Sequence, residues 1–500
     1  MERYSSDTIK TALGWSFFET ILTRGLSLLV RLYLVRLLLP NAFGLIGMAS
    51  VFIAFLTIMG EMGMAAALVQ RKTTRMTEQH WHTAFTVSFL ISALGWFLIF
   101  IALAPLAAVF YGEPELNLIL PALGFSLITD SLAIVQRAKL TKELRFKALS
   151  IASIAGVVPS SALGIFLAYY GFGVWALVVK TLSNSILALL ILWTFVGWIP
   201  KFYFSKEAFK DLFGFSAYVF LERLLIFFMH NIDYLLIGKL VGTAALGIYT
   251  LAFTLTDTLR MQIMNTFNKV FFPVYSNLQD DKTKAAAYFL KVIQYTSLII
   301  NPLMLLMLLD AQGIVTNCFG GPWRHAWRPL QILAVGTMVH TFGGTASTLI
   351  RGAGHARLVM VINFVGTVFI AIPAISLGAV WGDINGAALG VVVHRIIGRA
   401  ISLFYIFRLF PILWIDIIRA LLPSTYTCVT VGILNLLLRQ LLENSLFGLL
   451  FRISAETLAI AVLLIMLLPG LRATISRTVG RILDKKKKPY SLHIASTRRP

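Results

Sequence analysis

Apolar residues along this chain recur in runs of roughly 20, the length of α-helix that crosses the hydrocarbon core of a bilayer. Fourteen such runs can be marked, at 12–34, 43–69, 82–109, 116–135, 148–169, 173–198, 213–238, 244–274, 288–309, 330–350, 358–380, 386–407, 417–437 and 455–471. They predict an all-α polytopic membrane protein of about 14 transmembrane helices. Composition agrees: 58% of the 500 residues are hydrophobic and 13% charged, where a soluble domain has about a quarter charged. The length therefore counts spans rather than soluble domains. The first run carries Glu19, Arg24 and Arg31 and no small-residue cleavage site, so it is expected to stay as the first span rather than be removed as a signal peptide.

The net charge of +21 is distributed unevenly. With the N-terminus placed inside, 29 Lys and Arg fall in inner connections and tails and 6 in outer ones. The positive-inside rule then puts both termini in the cytoplasm. Nine of the inner basic residues lie in a tail at 472–500. Its run Lys485 to Lys488 is expected to anchor on anionic membrane lipids, at about 1 kcal/mol per basic residue. A basic nucleic-acid-binding protein would need a soluble domain or a stacking surface, and none is visible. Cys318 and Cys428 fall at different membrane depths and are not expected to pair. No phosphate-binding loop, metal-ligand spacing or catalytic constellation is found, so no cofactor or metal is expected. His80-Trp81-His82 reads as ordinary sequence at the start of a span.

Two segments match without a gap: Arg36 to Leu45, containing Pro40-Asn41-Ala42-Phe43-Gly44, and Lys239 to Ile248, containing Thr243-Ala244-Ala245-Leu246-Gly247. The offset of 203 also places Glu19 on Glu222, and a later offset of 210 places Gly156 on Gly366. Six spans separate equivalent positions, and because six is even the copies point the same way. This predicts two parallel six-helix lobes, 1–199 and 200–410, related by an axis along the membrane normal, around a central cavity. Two additional helices follow at 411–471.

Eight basic residues remain inside the spans (Arg24, Arg31, Lys180, Arg223, Arg260, Lys269, Arg395 and Arg399), with six acids (Glu19, Glu61, Asp130, Glu222, Asp233 and Asp257). A charge at the bilayer centre costs a few kcal/mol even on the most lenient scale, so these must face water or one another. Arg31 and Lys269 lie near span ends, where a long side chain can also snorkel. In the first span Ser16, Glu19, Thr20, Thr23, Arg24, Ser27 and Arg31 fall within an arc of roughly 140°. In the seventh, its repeat mate, Glu222, Arg223, His230 and Asp233 share an arc of roughly 100°. Polar stripes at repeat-equivalent places predict a hydrated cavity between the lobes; structural pairing, such as Glu19 with Arg24, is the competing expectation. Arg395 and Arg399 stand one turn apart and repel unless an anion or acid lies between them.

Several stretches carry a family resemblance. They include Ala67-Leu68-Val69-Gln70-Arg71-Lys72, Lys142-Glu143-Leu144-Arg145-Phe146, Asn231-Ile232-Asp233-Tyr234-Leu235-Leu236-Ile237-Gly238 and Phe272-Pro273-Val274-Tyr275-Ser276-Asn277. Phe319-Gly320 with Trp323 and Pro329 follows in the same order. Over about residues 5–410 the chain resembles the Wzx-type polysaccharide flippases, within the superfamily that includes the MATE exporters and the peptidoglycan-precursor flippases. The resemblance implies two six-helix lobes in a V and outward movement of a polyprenyl-diphosphate-linked oligosaccharide by alternating access, for exopolysaccharide or O-antigen synthesis. It also implies a bacterial inner-membrane location, with the polysaccharide polymerase and export machinery as further expected partners. Several members carry Glu-Arg in the first span; here that place holds Glu19-Thr20, while the second lobe has Glu222-Arg223.

An anionic diphosphate needs cations in a wet cavity. Arg24, Arg223, Arg260, Arg395 and Arg399 are the expected headgroup contacts. Glu19, Glu61, Asp130, Glu222, His230, Asp233 and Asp257 are the expected cavity or ion-coupling groups. An ion-coupled, MATE-like exporter of small amphiphiles would instead rely on acids such as Glu61, Asp130 and Asp233. A membrane polysaccharide polymerase would need a large catalytic outer loop, and the longest here is about 310–329.

Overall fold

The computed structural model describes residues 6–467 apart from Phe342, Gly344, Glu443 and Asn444. The expected basic tail with Lys485 to Lys488, the end of the fourteenth run and Arg3 lie outside the described residues. The described residues form helices and turns, without strands. In chain order the helices are α1 Ser6–Leu37, α2 Pro40–Glu61, α3 Met64–Gln70, α4 Glu78–Leu98, α5 Ala104–Tyr111, α6 Leu116–Lys142, α7 Phe146–Tyr169, α8 Val174–Phe195 and α9 Lys206–Leu240. Then follow α10 Thr243–Phe253, α11 Leu259–Asn277, α12 Lys282–Leu309, the short α13 Ala311–Gly313, α14 Trp327–Thr341, α15 Ala346–Gly352, α16 Ala356–Val365, α17 Ile372–Leu409, α18 Trp414–Leu441 and α19 Leu446–Leu467. Stretches of π-helix join α4 to α5 and α10 to α11, the latter at Thr254–Thr258.

Local sequence sets the ends. Pro40 opens α2, where its missing N–H costs nothing. Ser205 and Asp281 cap α9 and α12 by accepting from Ala208 N and Lys284 N, satisfying first-turn donors that lack an intrahelical partner. α2 stops at Met62-Gly63, both in the left-handed region.

The chain is a multi-pass membrane protein, and the described residues of the apolar runs are largely helical, with breaks at Met62-Gly63, at 196–198 and at Gly343. Among the described residues, nine helices are long and apolar enough to cross a membrane, or ten with the bent pair Lys206–Gly214 and Val219–Leu240 taken as one span. The difference from about fourteen has physical sources. The runs at 12–34, 244–274 and 330–350 carry charges or are broken by irregular turns. The runs at 358–380 and 386–407 are joined in one helical stretch, Ala356–Leu409, of 54 residues. Straight, that stretch would be about 80 Å long, more than twice the bilayer core. It folds back at Gly382 and Asp383, whose φ/ψ are non-helical. A methyl group on Gly378 would overlap the Gly386 carbonyl, so the two arms lie backbone to backbone.

Lipid gives helices no hydrophobic reason to associate, so close packing over small residues must hold them. The principal contact of this kind joins α2 to α10. A methyl on Gly44 would overlap the Thr243 carbonyl, and one on Gly247 would overlap the Pro40 carbonyl. The offset of 203 maps Pro40 onto Thr243 and Gly44 onto Gly247. Residue i thus touches the mate of j while j touches the mate of i, the reciprocity of a two-fold contact. Around it the largest core cluster draws on both halves of the chain, with Leu34, Met48, Ile119, Leu246, Tyr249 and Trp323 fully buried. Outward-facing apolar residues such as Val109 and Trp381, more than 80% exposed, form the surface suited to lipid.

The last two helices, α18 and α19, pack on α12 and on each other through a buried polar cluster. Arg452 Nη2 lies 3.4 Å from Asp310, and the Asn435 amide donates to Asp310 (2.7 Å) and Glu456 (2.8 Å). Arg452, one of the six basic residues that the sequence places in outer connections, is 2% exposed within α19. Arg439, Glu443, Asn444 and Arg452 together make the stretch between the runs at 417–437 and 455–471 read as a connection, so the start of the last span is placed too late.

Candidate functional site

The polar stripe of α1 faces a cavity of about 890 Å³ between the two halves of the chain. From α1 it is lined by Ser16, Thr20, Thr23, Arg24, Ser27 and Arg31, from α7 by Ser153, and from the α10–α11 stretch by Thr254, Thr258, Gln262, Thr266 and Lys269. The threonines satisfy their own hydroxyls by donating one turn back, Thr20 to Ser16 O and Thr23 to Glu19 O (both 2.7 Å), which leaves the arginine heads to the cavity. Arg24 Nη1 donates to Gln262 Oε1, joining α1 to α11 across the cavity. Glu19 turns away towards α7, where it accepts from Ser153 Oγ at 2.8 Å, so the expected Glu19–Arg24 pair does not form.

A second cavity, of about 420 Å³, lies within the C-terminal half. Arg260, Arg395 and Arg399 line it with His230, Asp233, Asp257, His340 and His394. The π-helical turn Thr254–Thr258 separates the two cavities: Thr254 and Thr258 face the first, Asp257 the second. A π-turn re-aims side chains within a helix and recurs at functional places. Asp257 is fully buried and takes one arginine on each oxygen, Arg260 Nε on Oδ1 (3.0 Å) and Arg395 Nη2 on Oδ2 (2.5 Å). This acid explains how Arg395 and Arg260 tolerate burial. Asp233 accepts from the Tyr249 hydroxyl (2.5 Å) and from Tyr234 N (3.0 Å). Arg399 Nη1 donates to the Gly343 carbonyl at 2.8 Å.

The remaining expected residues lie elsewhere. Arg223 pairs with Glu61, tying α9 to α2. Asp130 is held by Arg137 at 3.3 Å within α6. Glu222 is exposed and lines neither cavity. At the same end of the bundle as Glu61, Asp211 of α9 accepts from Arg71 (2.5 Å) and faces His80 Nε2 (3.4 Å). The N–H of Thr77 donates to His80 Nδ1 (3.2 Å), which orients the ring and leaves Nε2 for Asp211. At the opposite end, Trp323 Nε1 donates to Leu38 O (3.2 Å) beside the α2–α10 contact. The five arginines expected to act together are thus divided: one in the inter-lobe cavity, three in the second cavity, one in a cross-lobe ion pair.

The matching family model, described as polysaccharide biosynthesis protein, covers residues 33–328, more than half of the chain. The chain belongs to this family. Among curated relatives, the succinoglycan biosynthesis transport protein ExoT of Rhizobium meliloti is 23% identical over 88% of both chains. The lipopolysaccharide biosynthesis protein WzxC of Escherichia coli is also 23% identical, over 80% of this chain and 81% of its own. In fold the chain is similar to the lipid II flippase MurJ in an inward closed conformation, with a TM-score of 0.72 and 14% identity over 92% of this chain and 99% of that one.

Arg31 and Lys269, near span ends where a long side chain can snorkel, both line the inter-lobe cavity. Arg31 carried a signal, its place on the α1 stripe. Gln262, His340 and His394 carried none: a single polar residue in an apolar run has no period to reveal its partners.

Proposed function

We propose that this polysaccharide biosynthesis protein is a flippase, moving a polyprenyl-diphosphate-linked oligosaccharide from the cytoplasmic to the outer leaflet by alternating access. The observation that carries the reading is the inter-lobe cavity. Along α1 its lining runs from Ser16 to Arg31, about 22 Å at helical rise. It combines hydroxyl and amide groups, which suit a sugar, with Arg24, Arg31 and Lys269, which suit a diphosphate. Arginine forks take a phosphate through two hydrogen bonds, a geometry an ammonium cannot match. Of the expected headgroup contacts Arg24 is the strongest, because its head is in this cavity and its named partner is a neutral amide. The reciprocal α2–α10 contact supports two lobes at 1–199 and 200–410, with 411–471 as accessory helices.

Alternating access then exchanges two sets of contacts. One is the α2–α10 packing with Trp323; the other is the Glu61–Arg223 and Asp211–Arg71 pairs. The uneven basic residues support cytoplasmic termini in a bacterial inner membrane, so the α2–α10 contact closes the outer side. The polymerase and export machinery would receive the product. The exporter alternative relied on Glu61, Asp130 and Asp233. The first two are paired with arginines and the third is hydrogen-bonded by Tyr249, which suits structural or gating roles better than ion carriage. Replacing Arg24 by Ala should abolish polymer export at unchanged protein level, with lipid-linked oligosaccharide accumulating on the cytoplasmic leaflet. Arg24→Lys should restore part of it. Normal export by Arg24→Ala would overturn the reading.

A further inference from the structure

The second cavity is unbalanced in charge. Three guanidiniums line it, from Arg260, Arg395 and Arg399, against two carboxylates, Asp233 and Asp257. Both oxygens of Asp257 are taken, one by Arg260 and one by Arg395. Both oxygens of Asp233 are taken as well, by Tyr249 and the backbone. Neither acid reaches Arg399, whose bond goes to the neutral Gly343 carbonyl. Its Nε is buried without a hydrogen-bond partner, and so are Nδ1 of His340 and Nδ1 of His394 in the same cavity wall. A guanidinium needs acceptors for its donors, and in a low-dielectric interior it needs a counter-charge.

We infer that the second lobe holds an anion site of its own, built on Arg399 with the His340 and His394 rings, for a small singly charged anion of the chloride or dihydrogen-phosphate kind. The charge balance sets the valence: three cations and two carboxylates leave one positive charge for one negative occupant. Position argues against a large headgroup. The α10–α11 stretch stands between this cavity and the inter-lobe one, and the two carboxylates in the wall repel a multiply charged diphosphate. The occupant would hold Arg399 in place and leave the Asp257 bridge intact. Because the π-turn at Thr254–Thr258 faces both cavities, filling one site stiffens a wall of the other.

The test uses the purified full-length protein in nanodiscs without lipid-linked sugar, transferred from gluconate buffer into chloride or phosphate at constant ionic strength. Chloride or phosphate should raise the unfolding midpoint in a saturable way, and gluconate, too bulky for the site, should not. Arg399→Gln should weaken the apparent affinity at least tenfold, Arg399→Lys should weaken it less, and Arg24→Gln should leave it unchanged. A shift equal in all three salts would overturn the inference, as would a saturable shift that survives Arg399→Gln in a protein that still folds. Pyrophosphate serves as the probe for the headgroup. If it alone gives the saturable shift, and Arg24→Gln removes that shift, the anion chemistry belongs to the inter-lobe cavity and the second-lobe site does not exist.

Discussion

Adding one methyl group at Gly247 should push the two halves of the chain apart at the end where α2 meets α10. The Cβ of Gly247→Ala falls on the Pro40 carbonyl, and that of Gly44→Ala on the Thr243 carbonyl, backbone groups that cannot swing aside as a flexible side chain would. Overpacking of this kind costs about 1–3 kcal/mol, and the cost applies only while α2 and α10 touch. At about 2 kcal/mol the ratio of open to closed molecules rises about 30-fold, since 1.4 kcal/mol is a factor of ten. Pseudo-two-fold reciprocity makes the two substitutions similar in size. Together they should fall short of additive, because once the helices have parted the second methyl meets nothing. Gly25→Ala is the control, since a Cβ there meets nothing within 4 Å. The assay is double electron–electron resonance between spin labels at Leu39 and Leu240, both exposed at this end, on a background with Cys318 and Cys428 replaced by Ser. A longer distance population should appear in either glycine variant and be absent in Gly25→Ala. If both variants keep the parent distribution, the α2–α10 contact is not the outer closure.

Asp257→Asn should strip two buried arginines of their shared counter-charge; breaking a buried pair costs about 3–5 kcal/mol, visible as a large drop in the unfolding midpoint in detergent. Asp130→Asn should cost much less, because Arg137 is 43% exposed and solvent screens that pair. Exchanging Glu61 and Arg223 should restore export lost in either single charge reversal; persistent loss in the exchanged protein would argue against a gating pair. Reporter fusions ending at Leu140 and Gly321 should give opposite signals, and equal signals would refute the orientation.

What the sequence determined by itself follows from the bilayer acting as a solvent. Hydrocarbon demands about 20 apolar residues per crossing, so the spans appear as runs in one dimension, and the described residues of those runs are largely helical. The stripe of α1 was equally legible, because helical geometry alone places Ser16, Arg24 and Arg31 on one side. The match of Arg36–Leu45 to Lys239–Ile248 located the two segments that touch reciprocally at Gly44 and Gly247. Tertiary structure alone decided which charges meet. Arg395 reaches Asp257 across 138 residues and Arg223 reaches Glu61 across 162. Such pairs depend on how whole helices rotate and tilt against one another, and a helix can present a given arginine to either neighbour without changing its own hydrophobic pattern. The π-turn at Thr254–Thr258 adds a local reason, since it shifts the facing of the residues around it away from ideal helical spacing. The stripe could therefore show that a wet face exists, while the division of the arginines between two cavities required the packed molecule.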